Sequence, residues 1–229
     1  MEPSFKAIAD HSVLVTFADE ISDETHARVL ALDKALACDP PAGMIETVPA
    51  LVNLLVAFDV MTTDHRAVEA AVRARLKGLK IDVTTGATRV VHVCYEPPFA
   101  PDLAAVVAAT GLGAEAVINA HLAGDYCALM YGFSPGYAYL AGVPEVIQVP
   151  RKKAAVRDIP AGSVIIAGAQ CLVTTLMMPT GWSIIGRSPT KILTQDPARP
   201  FLLDVGDTVV FERIDMSTFD RLTQDHAHG

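Results

Sequence analysis

The chain has 229 residues, 51% of them hydrophobic, with a formal net charge of −8 at pH 7 and a pI near 5.3. That length suits one large or two small domains and buries a core without metals or disulfides. The acidic balance lacks any Lys/Arg run, which argues against a nucleic-acid surface, and no apolar run approaches the ~20 residues of a membrane helix.

The start, Met-Glu-Pro-Ser-Phe-Lys, lacks a secretory pattern. Ser12 to Phe17 reads as a strand by its β-branched content. Ser22 is placed to cap a helix whose first turn holds Asp23 and Glu24. Val29, Leu30, Leu32, Leu36 and Ala37 give that helix one apolar face, and Pro40-Pro41 ends it. Met44 to Val48 and Leu51 to Phe58 are two further strands. Thr63 or Asp64 caps a second helix with Val68, Ala71, Val72 and Leu76 as its stripe, stopping at Gly78. These pieces make a split β-α-β pattern.

Lys80 to Ala87 is polar and suits a linker, which divides the chain into residues 1–84 and 85–229. Arg89 to Tyr95 is a strand. Pro101 opens a helix through Leu103, Val106 and Val107, broken by Gly111 and Gly113. Glu115 to Leu122 is a second helix, with His121 near its end. Tyr126 to Tyr131 is a strand, as is Thr208 to Phe211 after the Gly206-Asp207 turn. Ser217 caps a short last helix around Phe219 and Leu222, and His226 to Gly229 form a loose tail. Cys38, Cys94, Cys127 and Cys171 are widely spaced with no Cys-x-x-Cys. That pattern predicts reduced, mostly buried thiols and a cytoplasmic protein.

Between Gly132 and Thr190, glycines and prolines recur too densely for helices, so the segment reads as short strands and tight turns. Polar side chains sit on those turns. Arg151 and Arg187 offer guanidinium forks for a carboxylate or phosphate, although a surface ion pair is the commoner fate. His121 offers a proton near neutrality, although a histidine at a helix end also complements the dipole. Gly162 and Gly168 are candidate backbone donors to an anion, or simple turn formers. Trp182 reads as core. There is no P-loop and no dinucleotide fingerprint. His226 and His228 have a ligand-like spacing only, and no zinc pattern occurs, so no metal is expected.

Several motifs occur in one order: Pro101-Asp102-Leu103; His121 with Tyr126; Gly132-Phe133-Ser134-Pro135-Gly136-Tyr137-Ala138-Tyr139-Leu140; Pro150-Arg151; Pro160-Ala161-Gly162-Ser163-Val164 with Ile166-Ala167-Gly168; Gly181-Trp182; and Gly186-Arg187-Ser188-Pro189. The series resembles the allophanate hydrolase subunit 1 family. That family includes the B subunit of the bacterial 5-oxoprolinase, a Kip-type inhibitor of a sporulation histidine kinase, and half of the carboxyltransferase domain of urea carboxylase. Three departures stand out. Thr180 replaces the first of two glycines before the tryptophan, Ala155-Val156 replaces a proline-arginine pair with Arg157 nearby, and Thr175-Leu176 replaces a Tyr-Pro.

The resemblance implies an α+β chain, with a small N-terminal α/β domain at 1–84 and a cyclophilin-like β-barrel at 85–229. It implies a non-autonomous subunit of an ATP-dependent lactam hydrolase that opens 5-oxoproline to L-glutamate, with ATP used by the assembled complex. A homologous-barrel second subunit and a LamB/YcsF-like third are the implied partners. His121, Arg151 and Arg187 are its candidate catalytic residues. Ser134, Tyr137, Gly162, Gly168 and Gln170 are its candidate substrate contacts. Two alternatives remain open: a carboxyltransferase-type subunit acting on urea or a related amide through carboxybiotin, and a protein inhibitor of a sensor histidine kinase.

Overall fold

In the computed structural model, which describes residues 2–81 and 86–228, the chain divides into the units Met1–Thr84 and Thr85–Gly229. Part of the expected linker, residues 82–85, lies outside the described residues.

The first unit contains β1 (Ser4–Ile8), β2 (Ser12–Thr16), α1 (Asp23–Cys38), β3 (Met44–Pro49), β4 (Asn53–Phe58) and α2 (His65–Leu76). Its sheet has the order β1-β2-β4-β3 with antiparallel neighbours. β2 and β3 both run against β4, so they are parallel to each other with β4 inserted between them. This is the split β-α-β arrangement that the sequence pattern predicts. The Ser22 Oγ accepts from the Thr25 N–H at 3.1 Å and caps α1 as expected. Between the two residues considered for α2, it is Asp64 that caps, its Oδ1 accepting from Ala67 N–H at 2.9 Å. Val29, Leu32 and Leu36 of α1 pack with Val68 and Val72 of α2 on Val13, Val15, Phe17, Leu54, Val56 and Phe58. Each such side chain contributes about 1.5–3 kcal/mol by leaving water. Ala37, expected on that face, is exposed, because the stripe is completed at its other end by Thr25 and His26. The sequence pattern does not reveal β1: it is an edge strand with only Phe5 half-buried, so it carries little alternation.

The second unit contains β5 (Thr88–Val93), α3 (Leu103–Thr110), α4 (Ala114–Leu122), β6 (Tyr126–Tyr131), β7 (Ala138–Ala141), β8 (Val156–Ile159), β9 (Ser163–Ala167), β10 (Gln170–Val173), β11 (Met178–Thr180), β12 (Ser183–Arg187), β13 (Thr208–Arg213) and α5 (Met216–His228). Seven strands form one sheet in the order β12-β9-β10-β7-β6-β13-β5, and only β13 and β5 pair in parallel. The two ends of the sheet meet where Cys94 and Arg187 exchange backbone hydrogen bonds of 2.8 and 2.9 Å. That bridge brings the sheet to near closure as a barrel and removes most of its edge. The α+β class expected from the sequence is therefore the one observed.

Alternation explains the apolar runs of the Gly132 to Thr190 segment. Val164 and Ile166 of β9 point into the barrel with Tyr126, Leu140, Ile185 and Phe211. Ile165 and Ala167 point the other way, into a second cluster with Tyr137, Leu172, Trp182 and Ile184. The β8–β11 ribbon contributes Ile159 and Met178 to that second cluster, so β9 is buried on both faces. Trp182 is core, as expected. At the C-terminus, Asp215 caps α5 by accepting from Thr218 N–H at 2.8 Å. Ser217, expected in that role, instead donates its hydroxyl to Asp215 at 3.0 Å. α5 continues to His228, through positions read as a loose tail. No disulfide forms among the described residues; Cys94 and Cys171 are buried and Cys38 is exposed.

Candidate functional site

Polar side chains gather beside a cavity at one end of the barrel. A cleft of about 500 Å³ opens there, lined by Gly162, Thr174, Thr175, Arg187, Ser188 and Phe219, with the 189–193 loop along one side. Antiparallel pairing sets Arg187, the last residue of β12, opposite Ser163, the first of β9. Gly162 therefore sits beside the arginine. Its φ is +81°, a conformation that glycine adopts without strain, and its carbonyl accepts from Ser188 N–H at 2.7 Å. Arg187 is half-buried, with its guanidinium carbon 5.5 Å from the centroid of the Phe99 ring. Among the described residues no carboxylate lies within 4.0 Å of it, and none lines the cleft.

The backbone and hydroxyl groups here are mostly engaged within the chain. Gly162 N–H donates to the Thr174 carbonyl at 2.6 Å, Ser163 N–H to Thr174 Oγ1 at 2.8 Å and Thr190 N–H to Ser188 Oγ at 3.1 Å. Thr174 Oγ1 donates to the Pro160 carbonyl at 2.8 Å, and Thr175 Oγ1 to that of Pro135 at 2.9 Å. Gly162 thus does not present a backbone donor to an anion. It shapes the wall instead.

The other expected residues lie in three further places. Ser134 is one hydrogen bond from the cleft, 3.2 Å from Thr175 Oγ1. Gly168 and Gln170 stand at the opposite end of β9, six residues and roughly 20 Å from Gly162 at strand rise. The Gly168 N–H is also engaged, donating to the Val149 carbonyl at 2.8 Å, so it offers no anion a donor. Arg151 belongs to that end too. Its guanidinium carbon lies 5.4 Å from the Trp182 ring, just ahead of β12, so the structure does not bring the two arginines together. Tyr137 packs in the outer cluster between Phe133 and Tyr139, with ring centroids 5.5 and 5.6 Å away, and burial pushes its phenol up to about 12.

His121 is fully buried inside the barrel. Its Nδ1 is 2.8 Å from the Tyr95 hydroxyl, its Nε2 is 3.5 Å from Cys171 Sγ, and the Tyr126 and Phe211 rings flank it. Desolvation lowers its pKa to about 3, so it is neutral at physiological pH. It touches neither the cleft nor solvent. The sequence reading missed Phe219, which lines the cleft, and Phe99, whose ring packs against both Phe219 and the Arg187 guanidinium. Neither carries a polar signal, and they are far apart in the chain.

Residues 3–203 match the family model described as carboxyltransferase domain, subdomain C and D. The chain is 34% identical over 218 residues to the 5-oxoprolinase B subunit of Bacillus subtilis (strain 168), covering 90% of this chain and 91% of that one. A solved structure, that of TTHA0988, is similar with a TM-score of 0.78 and 32% identity over 89% of this chain, which spans only 40% of that longer chain. The K. lactis urea amidolyase shares the fold alone, at 15% identity and a TM-score of 0.80 over 99% of this chain and 16% of that one. The chain belongs to the carboxyltransferase-domain family of subdomains C and D.

Proposed function

We propose that this chain is the B subunit of an ATP-dependent 5-oxoprolinase, a complex that opens the lactam of 5-oxoproline to L-glutamate. The end-to-end similarity to proteins named as the B subunit of 5-oxoprolinase carries the reading, and the cleft at Arg187 is compatible with it. A lactam is a poor electrophile. Transfer of the ATP γ-phosphoryl group to its carbonyl oxygen activates the carbon; one water adds there, the C–N bond breaks as the ring nitrogen takes a proton, and a second water hydrolyses the resulting acyl phosphate to the carboxylate and inorganic phosphate. Each stage develops negative charge on oxygen, which a fixed guanidinium stabilises.

Arg187 is our candidate for that role or for the substrate carboxylate, because the cleft places no carboxylate beside it. The amides of Gly162, Ser163, Ser188 and Thr190 are engaged within the chain and offer no backbone cradle to a polyphosphate. We therefore assign nucleotide binding to the assembled complex, with a homologous-barrel second subunit and a LamB/YcsF-like third as its other members, working in the cytoplasm. Ser134 is placed to adjust the wall through Thr175. His121 serves the core.

The test is ATP-dependent glutamate release from 5-oxoproline, assayed for this chain alone and with the products of its neighbouring genes. Turnover only in the reconstituted mixture is expected. Robust turnover by the isolated chain would overturn the subunit reading, and no turnover with the full set would overturn the substrate.

A further inference from the structure

One wall of the cleft comes from the C-terminal helix. Phe219 and Thr223 of α5 line the cavity. α5 is fastened at its start by the Asp215 cap and by the Ile214 N–H, which donates to the Val93 carbonyl at 2.9 Å. One turn later Phe219, only 7% exposed, sets its ring against Phe99 with centroids 4.4 Å apart and planes 42° apart. Phe99 is the same ring over which the Arg187 guanidinium lies at 5.5 Å. The three side chains form a relay from the C-terminal helix to the one cation of the cleft that the proposed function uses. A guanidinium over an aromatic face is held by the ring quadrupole, and a ring held by a second ring is itself restrained. On the far side, the Arg187 backbone is pinned in the bridge to Cys94, so the side chain's remaining freedom is set by Phe99.

We propose that α5 is a built-in wall of the cleft and that Phe219 is a positioning residue, holding the Arg187 guanidinium through the Phe99 ring for a small carboxylate- or phosphoryl-bearing ligand. The inference rests on reading the Arg187 cleft as the anion site. It goes beyond that reading by placing control of the arginine in the C-terminal helix.

The experiment is arginine labelling of the full-length protein with phenylglyoxal, following the Arg187 peptide by mass spectrometry below the melting range, with and without pyrophosphate. Phe219→Ala is expected to label Arg187 about three- to tenfold faster than the parent, the size of losing one aromatic restraint. Phe219→Tyr, which keeps the ring, is expected to restore the parent rate. A merely structural role for Phe219 lowers the melting temperature but leaves the Arg187 rate in the folded protein unchanged, and that result would overturn the proposal. If Phe219→Ala does not fold, Phe219→Leu, apolar but without a ring, is judged by the same rate. Pyrophosphate protection of the parent protein judges the anion reading separately: absence of protection removes that reading, whereas only an unchanged labelling rate removes the relay.

Discussion

Replacing Gly162 by alanine tests whether the cleft wall is built as described. Gly162 holds φ +81°, and a Cβ there would fall within 3.0 Å of the Ser188 carbonyl oxygen, a backbone atom that cannot rotate away. Its own amide and carbonyl are both committed, to Thr174 and Ser188. A left-handed alanine costs about 1–2 kcal/mol, and forcing apart two hydrogen-bonded segments costs a further ~1–3 kcal/mol. Gly168 supplies the control. It too is left-handed, with φ +54°, but a Cβ there meets nothing within 4 Å, so Gly168→Ala carries only the first cost. At ~2–4 °C per kcal/mol for a chain of this size, Gly162→Ala should melt about 4–20 °C below the parent. Gly168→Ala should melt about 2–8 °C below it. Thermal unfolding followed by far-ultraviolet circular dichroism at one pH and ionic strength measures both. Equal melting temperatures for the two variants would refute the close approach between Gly162 and Ser188.

Arg187→Lys keeps the charge but loses the paired donors; in the assembled complex it should lower kcat/KM by roughly tenfold to a thousandfold, about 1.4–4 kcal/mol of transition-state binding, while Tm barely moves. Normal kinetics would remove Arg187 from the site. The second expectation concerns acid. His121 is neutral when folded because burial lowers its pKa from 6.5 to about 3. Between those values the unfolded chain binds a proton there that the folded chain does not, so stability falls as pH falls, by up to about 1.4 kcal/mol per unit. Urea unfolding of the parent and of His121→Gln at pH 7.5 and 5.0 should show the variant losing about 2 kcal/mol less over that interval, and parallel losses would show that His121 does not titrate this way.

Periodicity and turn chemistry exposed most of the fold. The helix caps at Ser22 and Asp64, the split β-α-β unit and the strands between Gly132 and Thr190 all follow from local rules. β1 was hidden because an edge strand with one half-buried residue has no face to alternate. The grouping of the site was hidden for a different reason. In a barrel, successive strand ends alternate between the two rims, so residues adjacent in motif order are sent apart: Gly162 and Gly168 bracket the single strand β9. His121 illustrates the other limit. Its unperturbed pKa makes any histidine look like a proton donor, and only tertiary packing among Tyr95, Tyr126, Cys171 and Phe211 removes it from solvent.

The chemistry within the cleft bears on why such a chain would work as a subunit. Among the described residues that line it, the titratable side chains are Arg187 and Lys191; there is no carboxylate, imidazole or thiol. The hydroxyls of Thr174 and Thr175 are bonded to carbonyls, and that of Ser188 to an amide. A guanidinium offers only hydrogen-bond donors and no acceptor, so it binds and stabilises anions. Opening a lactam needs more than that: a phosphoryl donor, a base for the attacking water and an acid for the departing nitrogen. Under the proposed function the phosphoryl donor has to come from outside this cleft, and among the described residues no carboxylate or imidazole within it is at hand as the base. The open cleft of this chain then supplies a fixed positive fork, aimed by Phe99 and walled by α5, against which a partner's reacting groups can work.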